Sequence, residues 1–360
     1  MMNAEDKLYR DLQKHLDGLP IGFPPTESGV EIRVLQHLFT PEEAKLATQL
    51  SVLPEPLNEI HERIKETGIS LEELGHALER MALKGSLWRE VKGGVTHYSN
   101  AMLVIGMFEF HLERLTEDFL NDLDHYFDEA FGEELYRTKI PQLRTIPIEK
   151  SITYEHSVST YDDIKQIIEN CEGQIAVANC ICRQAKDIQG ESCRHTKLRE
   201  TCFLLQDAAE HYLHLGIARS ITKEEALDIL HQAQEAGLVL QPENTQRPMA
   251  ICCCCGDCCG ILQTVKKYPR PVELFASNYY AEIDSELCTG CETCADICPL
   301  EAITMVESIA TVNLDCCIGC GNCVAQCLDG AITLRKKEEE LIPAPNTISL
   351  YGNILAKKLA

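Results

Sequence analysis

The chain has 360 residues, 45% of them hydrophobic and 25% charged, which excludes a disordered polymer and sets an expectation of two or three domains. Its formal charge of −23 argues against general affinity for nucleic acid, which needs a clustered positive surface, and suits a basic protein partner better. Twenty cysteines, behind an opening MMNAEDKLYRDL with no basic segment leading into an apolar one, place the expected setting in a reducing cytoplasm and favour metal ligation over disulfides.

Residues 1–140 contain no cysteine and are predicted mostly helical. In TPEEAKLATQL, Thr40 is an N-cap, Pro41 the first helical residue and Glu43 the capping-box partner. The next stretch, PLNEIHERIKETGISLEELGHALERMALKGSLWREVKGGVTHYSN, is predicted as helix, turn, helix and two short strands across Gly93 and Gly94. Ser70 and Glu73 form a second capping box, and Leu71, Leu74, Leu78 and Met81 supply the apolar face. This order is winged-helix-like and fits either a DNA reader or a scaffold that contacts protein. Its candidate recognition helix carries Glu72, Glu73 and Glu79 against Arg80 and Lys84, an acid excess that would meet phosphate badly. The longest apolar run, AMLVIGMF, is far short of a bilayer span, so no membrane segment is expected. FEFHLERLTEDFLNDLDHYFDEAFGEEL is predicted as one long acidic helix with Phe110, Leu112, Leu115, Phe119, Leu123 and Phe127 along a core or intersubunit face.

Pro141 and Pro147 mark a linker into a mixed α/β middle domain, residues 141–275. ITKEEALDILHQAQEAGLVLQ starts at Thr222 with Glu225 as its partner and stops near Gly237. LVLQPENTQRPMAICCCC is then a hairpin turning around 242–246. Six cysteines follow within ICCCCGDCCG. In a strand, Cys253 and Cys255 take one face and Cys252 and Cys254 the other, while Cys258 and Cys259 fall in the first turn of a helix. One strand face together with the helix start is expected to meet a metal site, with Cys253, Cys255, Cys258 and Cys259 as candidates and the other thiols packed as small hydrophobes. Packing of all six as buried thiols stays open.

Upstream, NCICRQAKDIQGESCRHTKLRETCFLL holds Cys180, Cys182, Cys193 and Cys202. Cys180 and Cys182 are expected on one strand face, Cys193 in a loop and Cys202 at a helix start, with Arg183 offsetting thiolate charge. The four are a candidate third metal site; an iron–sulfur cluster, zinc and plain thiols are all compatible with their spacing. Cys171 has no partner set, and His195, His211 and His214 are read as surface or helix histidines rather than ligands.

The strongest pattern lies near the C-terminus. CTGCETCADICP places Cys288, Cys291, Cys294 and Cys298 at spacings of two, two and three residues, and CIGCGNCVAQCL repeats this with Cys317, Cys320, Cys323 and Cys327 after 29 residues. Zinc sites join cysteine pairs across longer gaps. Two-residue gaps instead wrap three thiolates around one iron–sulfur cube, and the three-residue step carries the fourth to another. Leu328 stands where the first unit has Pro299, and Cys316 is read as a packed thiol facing away.

Residues 276–336 resemble the bacterial two-cluster [4Fe-4S] ferredoxins, followed by a tail at 337–360. By that resemblance Cys288, Cys291, Cys294 and Cys327 hold one cluster, and Cys317, Cys320, Cys323 and Cys298 the other. Through CICR, ICCCCGDCCG and ASNYYAEID the whole chain resembles multidomain dicluster ferredoxin-type proteins of anaerobic bacteria. The expected fold class is therefore an α+β multidomain chain: a helical, winged-helix-like N-terminal part, the middle domain and a ferredoxin-like module. The expected function is single-electron transfer through two [4Fe-4S] clusters to a redox partner protein, as a carrier or an oxidoreductase subunit, with a further cluster or zinc in the middle domain and oligomerisation left open. A redox-sensing regulator and a redox enzyme with a non-standard middle-domain cluster are the alternatives.

Overall fold

The computed structural model describes residues 4–152 and 158–360. The chain is mixed α/β, with helices around several small sheets. It divides into two compact units, one built on the segment up to Thr138 with Glu210–Arg219 and Ile354–Ala360, the other on Lys139–Ala209 and Ser220–Asn353.

In the first unit the expected caps are in place. Thr40 accepts from the Glu43 amide at 3.3 Å while Glu43 accepts from the Thr40 amide at 2.8 Å; Ser70 and Glu73 make the same reciprocal pair at 3.2 and 2.9 Å. These bonds satisfy amides that the first helical turn leaves without a partner. Helix Leu57–Ile64 is followed by helix Leu71–Lys84, which buries Leu74, Leu78 and Met81 and leaves Leu71 exposed. The hairpin Leu87–Lys92 and Val95–Asn100 comes next, with Glu55–Pro56 on the outer side of its second strand.

The acidic segment predicted as one helix is broken. A short turn at Phe108–Phe110 and a 3₁₀ turn at Leu112–Arg114 end in an extended Leu115, and a new helix, Glu117–Tyr126, starts from Thr116. The Thr116 hydroxyl accepts from the Phe119 amide at 3.2 Å, with Glu117 and Asp118 in the first turn. A strong N-cap signal inside the apolar stripe thus overrode its periodicity. Phe110, Leu112, Phe119 and Leu123 are nevertheless buried.

The second unit contains a five-stranded sheet in which Ile175–Asn179, Glu200–Leu205, Ala250–Cys254 and Val239–Pro242 lie side by side in that order. One face is packed by Ile146, Ile168, Val177, Phe203, Leu230 and Ile251. The cysteine repeat forms a second core within this unit. Strand Tyr279–Ile283 pairs with Ile332–Lys336, and Ile303–Val306 with Ile309–Val312, so the closing strand of each repeat pairs with the opening strand of the other. Helices Thr293–Asp296 and Asn322–Gln326 occupy equivalent places 29 residues apart. Asn322 donates to the Gly237 carbonyl at 2.6 Å and the Ile148 amide to the Cys320 carbonyl at 3.0 Å, tying this core to the chain around the sheet.

Candidate metal centres

The interlocked strands of the repeat enclose two hollows. One is lined by Cys288, Cys291, Cys294 and Cys327 together with Ile283, Ala310 and Ile332. The other is lined by Cys298, Cys317, Cys320 and Cys323 together with Ala281, Ile303 and Ile318. In each, three cysteines come from one repeat and the fourth from the other. Cys316, expected to face away, contributes to the wall of the second hollow, and its sulfur accepts from the Asn313 side chain at 3.3 Å.

Main-chain amides converge on the sulfurs. Ala310 donates to Cys288 at 3.4 Å, Ala281 to Cys317 at 3.4 Å, Ala302 to Cys298 at 3.2 Å and Ala331 to Cys327 at 3.3 Å. These are bonds that favour an anionic sulfur. The Thr293 hydroxyl at 3.5 Å holds the Cys291 thiol below its ordinary range. Burial acts the other way at the second hollow, pushing Cys320 up to about 12 and Cys323 well above the usual thiol value. Sulfurs so placed are poor free thiolates, and a positively charged metal core would compensate for the burial that opposes their ionisation. The loop between Cys317 and Cys320 turns at Gly319, whose φ is +64° and whose α-carbon lies against the Tyr279 carbonyl, where a side chain would collide. Glycine is what lets the loop fold this tightly over the hollow.

Two thiol-lined, apolar-walled hollows with amides aimed at their sulfurs fit iron–sulfur cubes. Residues 280–328 match the family model of the 4Fe-4S dicluster domain. Among curated proteins and solved structures, nothing matches the chain. The match spans the three opening cysteines of each repeat and the fourth cysteine of each, Cys298 and Cys327.

The middle cysteines sort differently from the groups expected. Cys180 is not on a strand: the strand ends at Asn179, Cys180 is the N-cap of helix Ile181–Ile188, and Cys182 lies in its first turn. Cys202 is not at a helix start but within strand Glu200–Leu205, where Thr201 and Phe203 favour extended backbone, and it is opposite Cys252 in the next strand. The downstream helix begins at Gly260, with Cys259 as its N-cap and Cys258 in the turn before it.

Six sulfurs therefore form one connected set. All six are free thiols, and hydrogen bonds run from Cys180 to Cys182, Cys182 to Cys259, Cys259 to Cys254, Cys254 to Cys252 and Cys252 to Cys202 in an unbroken chain. Bonds from Cys182 and Cys254 hold Cys259 down at about 5, and bonds from Cys202 and Cys254 hold Cys252 well below the ordinary thiol value. Cys193, Cys255 and Cys258 lie apart from this set, with Cys253 beside them in the apolar core. Cys171 is buried in that core too, and burial raises its thiol.

Arg183 stands between the two groups. It is fully buried. Its guanidinium donates to the Cys253 carbonyl at 3.0 Å, to the Cys255 sulfur at 3.7 Å and to the Thr201 hydroxyl, with Cys180 and Cys254 also close enough to favour its charge. A buried guanidinium stays charged and requires compensating anions. Cysteine sulfurs surround this one, and burial holds those of Cys253 and Cys255 above the ordinary thiol range. The motif CICR signals it in the sequence, because the third residue after the N-cap Cys180 turns into the helix's buried face.

None of the three histidines belongs to either sulfur set. His211 packs in the first unit against Trp88 and Phe110, with ring centroids at 4.6 Å in both cases, and burial lowers it to about 3. His214 bonds Glu79 at 2.6 Å. His195 lies 3.9 Å from Asp257.

Proposed function

We propose that this protein transfers single electrons through two [4Fe-4S] clusters, one held by Cys288, Cys291, Cys294 and Cys327, the other by Cys317, Cys320, Cys323 and Cys298. The supporting observation is that each of these quartets, crossing member included, lines one hollow. A bound cube accepts and releases one electron. The chain contributes thiolate ligands, an apolar wall that keeps water away, and amide donors that stabilise sulfur charge and tune the potential.

Cys291 is exposed, whereas Cys317, Cys320 and Cys323 are buried. The first hollow is thus the port to a partner and the second an inner station. Glu292, Glu301, Glu307 and Asp329 are exposed around the repeat, which suits a basic redox partner. The six-sulfur set at Cys180, Cys182, Cys202, Cys252, Cys254 and Cys259 is a third cluster station, in the same compact unit and compensated by Arg183. The chain acts as a cytoplasmic carrier or as an electron-transfer subunit of an oxidoreductase. Residues 57–100, helix–turn–helix–hairpin, serve as a winged-helix scaffold for protein contact, since Glu72 and Glu73 open the helix that would face DNA.

Anaerobically purified protein should carry a broad visible absorption that dithionite bleaches, with the EPR signal of reduced cubes appearing in step. A colourless or redox-silent protein would end this reading.

A further inference from the structure

The sulfur of Cys193 is 3.6 Å from that of Cys255 and 3.6 Å from Asp257 Oδ1. With Cys258 added, the four ligand atoms all lie within 4.8 Å of one another. Four donors about 2.3 Å from one zinc-like ion stand roughly 3.8 Å apart, whereas the thiolates of a cube each bind a different iron and must stand wider. The spacing therefore suits a single ion and is too tight for a cube.

The surroundings are built for the same purpose. Cys193 comes from the irregular loop between helix Ile181–Ile188 and strand Glu200–Leu205, and the other three from the turn after strand Ala250–Cys254. Asp257 Oδ2 accepts from the Arg194 amide at 2.8 Å, which turns Oδ1 toward the sulfurs. The Asp257 side chain is only 9% exposed. A carboxylate placed among buried and half-buried thiols, with His195 Nε2 no nearer than 3.9 Å, is hard to account for as hydrophobic packing, because thiol packing does not offset its charge. Arg183 donates to Cys255 at 3.7 Å from behind, the kind of outer contact that orients a ligand and offsets the surplus negative charge of three thiolates and a carboxylate on a divalent ion.

We infer that Cys193, Cys255, Cys258 and Asp257 bind one tetrahedral divalent ion of the zinc class, separate from the iron–sulfur sites, which staples the loop carrying Cys193 to the cysteine-rich turn. Binding displaces the thiol protons, forms three metal–sulfur bonds and one metal–oxygen bond, and changes no oxidation state.

The test is zinc and iron analysis of the full-length, anaerobically purified chain. Wild type and a Cys171→Ala control should each retain about one zinc per chain, and Cys193→Ser and Asp257→Asn should fall to background with iron content unchanged. The unchanged iron shows that the variants still fold. Cobalt(II) supplied in place of zinc should give thiolate-to-cobalt charge-transfer bands that Cys193→Ser abolishes. The inference fails if wild type holds neither zinc nor cobalt, if the two variants keep their zinc, or if Cys193→Ser lowers iron instead. Because zinc and iron are counted separately, failure here leaves the electron-transfer reading standing, and the reverse holds as well.

Discussion

Cys254 and Cys255 are adjacent at the end of one strand, yet Cys254 bonds Cys252 and Cys259 while Cys255 sits against Cys193 and Arg183. The alternation of a strand sends the two sulfurs to opposite sides. If the six-sulfur side holds a cluster, Cys182→Ser combined with Cys259→Ser should lower the iron content from about twelve to about eight per chain, while Cys255→Ala leaves iron unchanged. Equal iron in the double variant and wild type would remove the third station.

The crossing ligands give a sharper expectation. Cys327→Ser should cost about four of the irons bound by the dicluster domain, and adding Cys288→Ser should cost no more, because both sulfurs line one hollow. Adding Cys317→Ser instead should cost both clusters, since Cys317 lines the other. Iron analysis and EPR spin counts on the three variants check this. A further loss in the Cys327/Cys288 pair would mean that each repeat keeps its own four cysteines.

The cysteine repeat was legible because its meaning depends on short spacings along the chain. The sorting of the middle cysteines was not, because it depends on which strands are neighbours. Cys202 and Cys252 face each other only because Glu200–Leu205 pairs with Ala250–Cys254, and no local pattern announces that pairing across fifty residues. Cys180 was misplaced for a local reason: a buried strand running into a helix N-cap looks like continued strand until the helix is seen. The departure at Leu328 is clearer in three dimensions. Pro299 is buried and packs against Gly256 at the cysteine-rich turn, whereas Leu328 is 98% exposed.

That contact makes Gly256 a point of coupling. A β-carbon there would come within 2.7 Å of the Pro299 carbonyl and 2.9 Å of its α-carbon, both backbone atoms next to the proposed ligand Cys298. Something must shift, and overpacking of this kind costs about 1–3 kcal/mol. Gly256→Val should therefore destabilise the second unit and weaken retention of the cluster held by Cys298, while the cluster lined by Cys291 survives. Iron loss during mild chelation, followed by EPR, would reveal the preference. Uniform loss from both sites would argue against a specific effect through Pro299.

Acid should weaken the first unit through its buried histidines. His211 is lowered to about 3, first by burial and then by the charges of His214 and Arg89, and burial lowers His111 to about 4. A group whose value in the folded state lies below its value in the unfolded chain contributes stability above the unfolded value, about 6.5, and loses it as pH falls. Between pH 7 and pH 5 the unfolded chain takes up a proton on each histidine that the folded chain refuses, a cost of about 2 kcal/mol apiece. Trp88 is the only tryptophan of the chain and its ring packs at a tilt against His211, so its fluorescence reports on the packing of this unit. In denaturant titrations, His211→Phe, which keeps an aromatic ring against Trp88 and Phe110, should lose about 2 kcal/mol less than wild type over that pH interval. Parallel losses in the two proteins would show that His211 takes up its proton in the folded chain as readily as in the unfolded one.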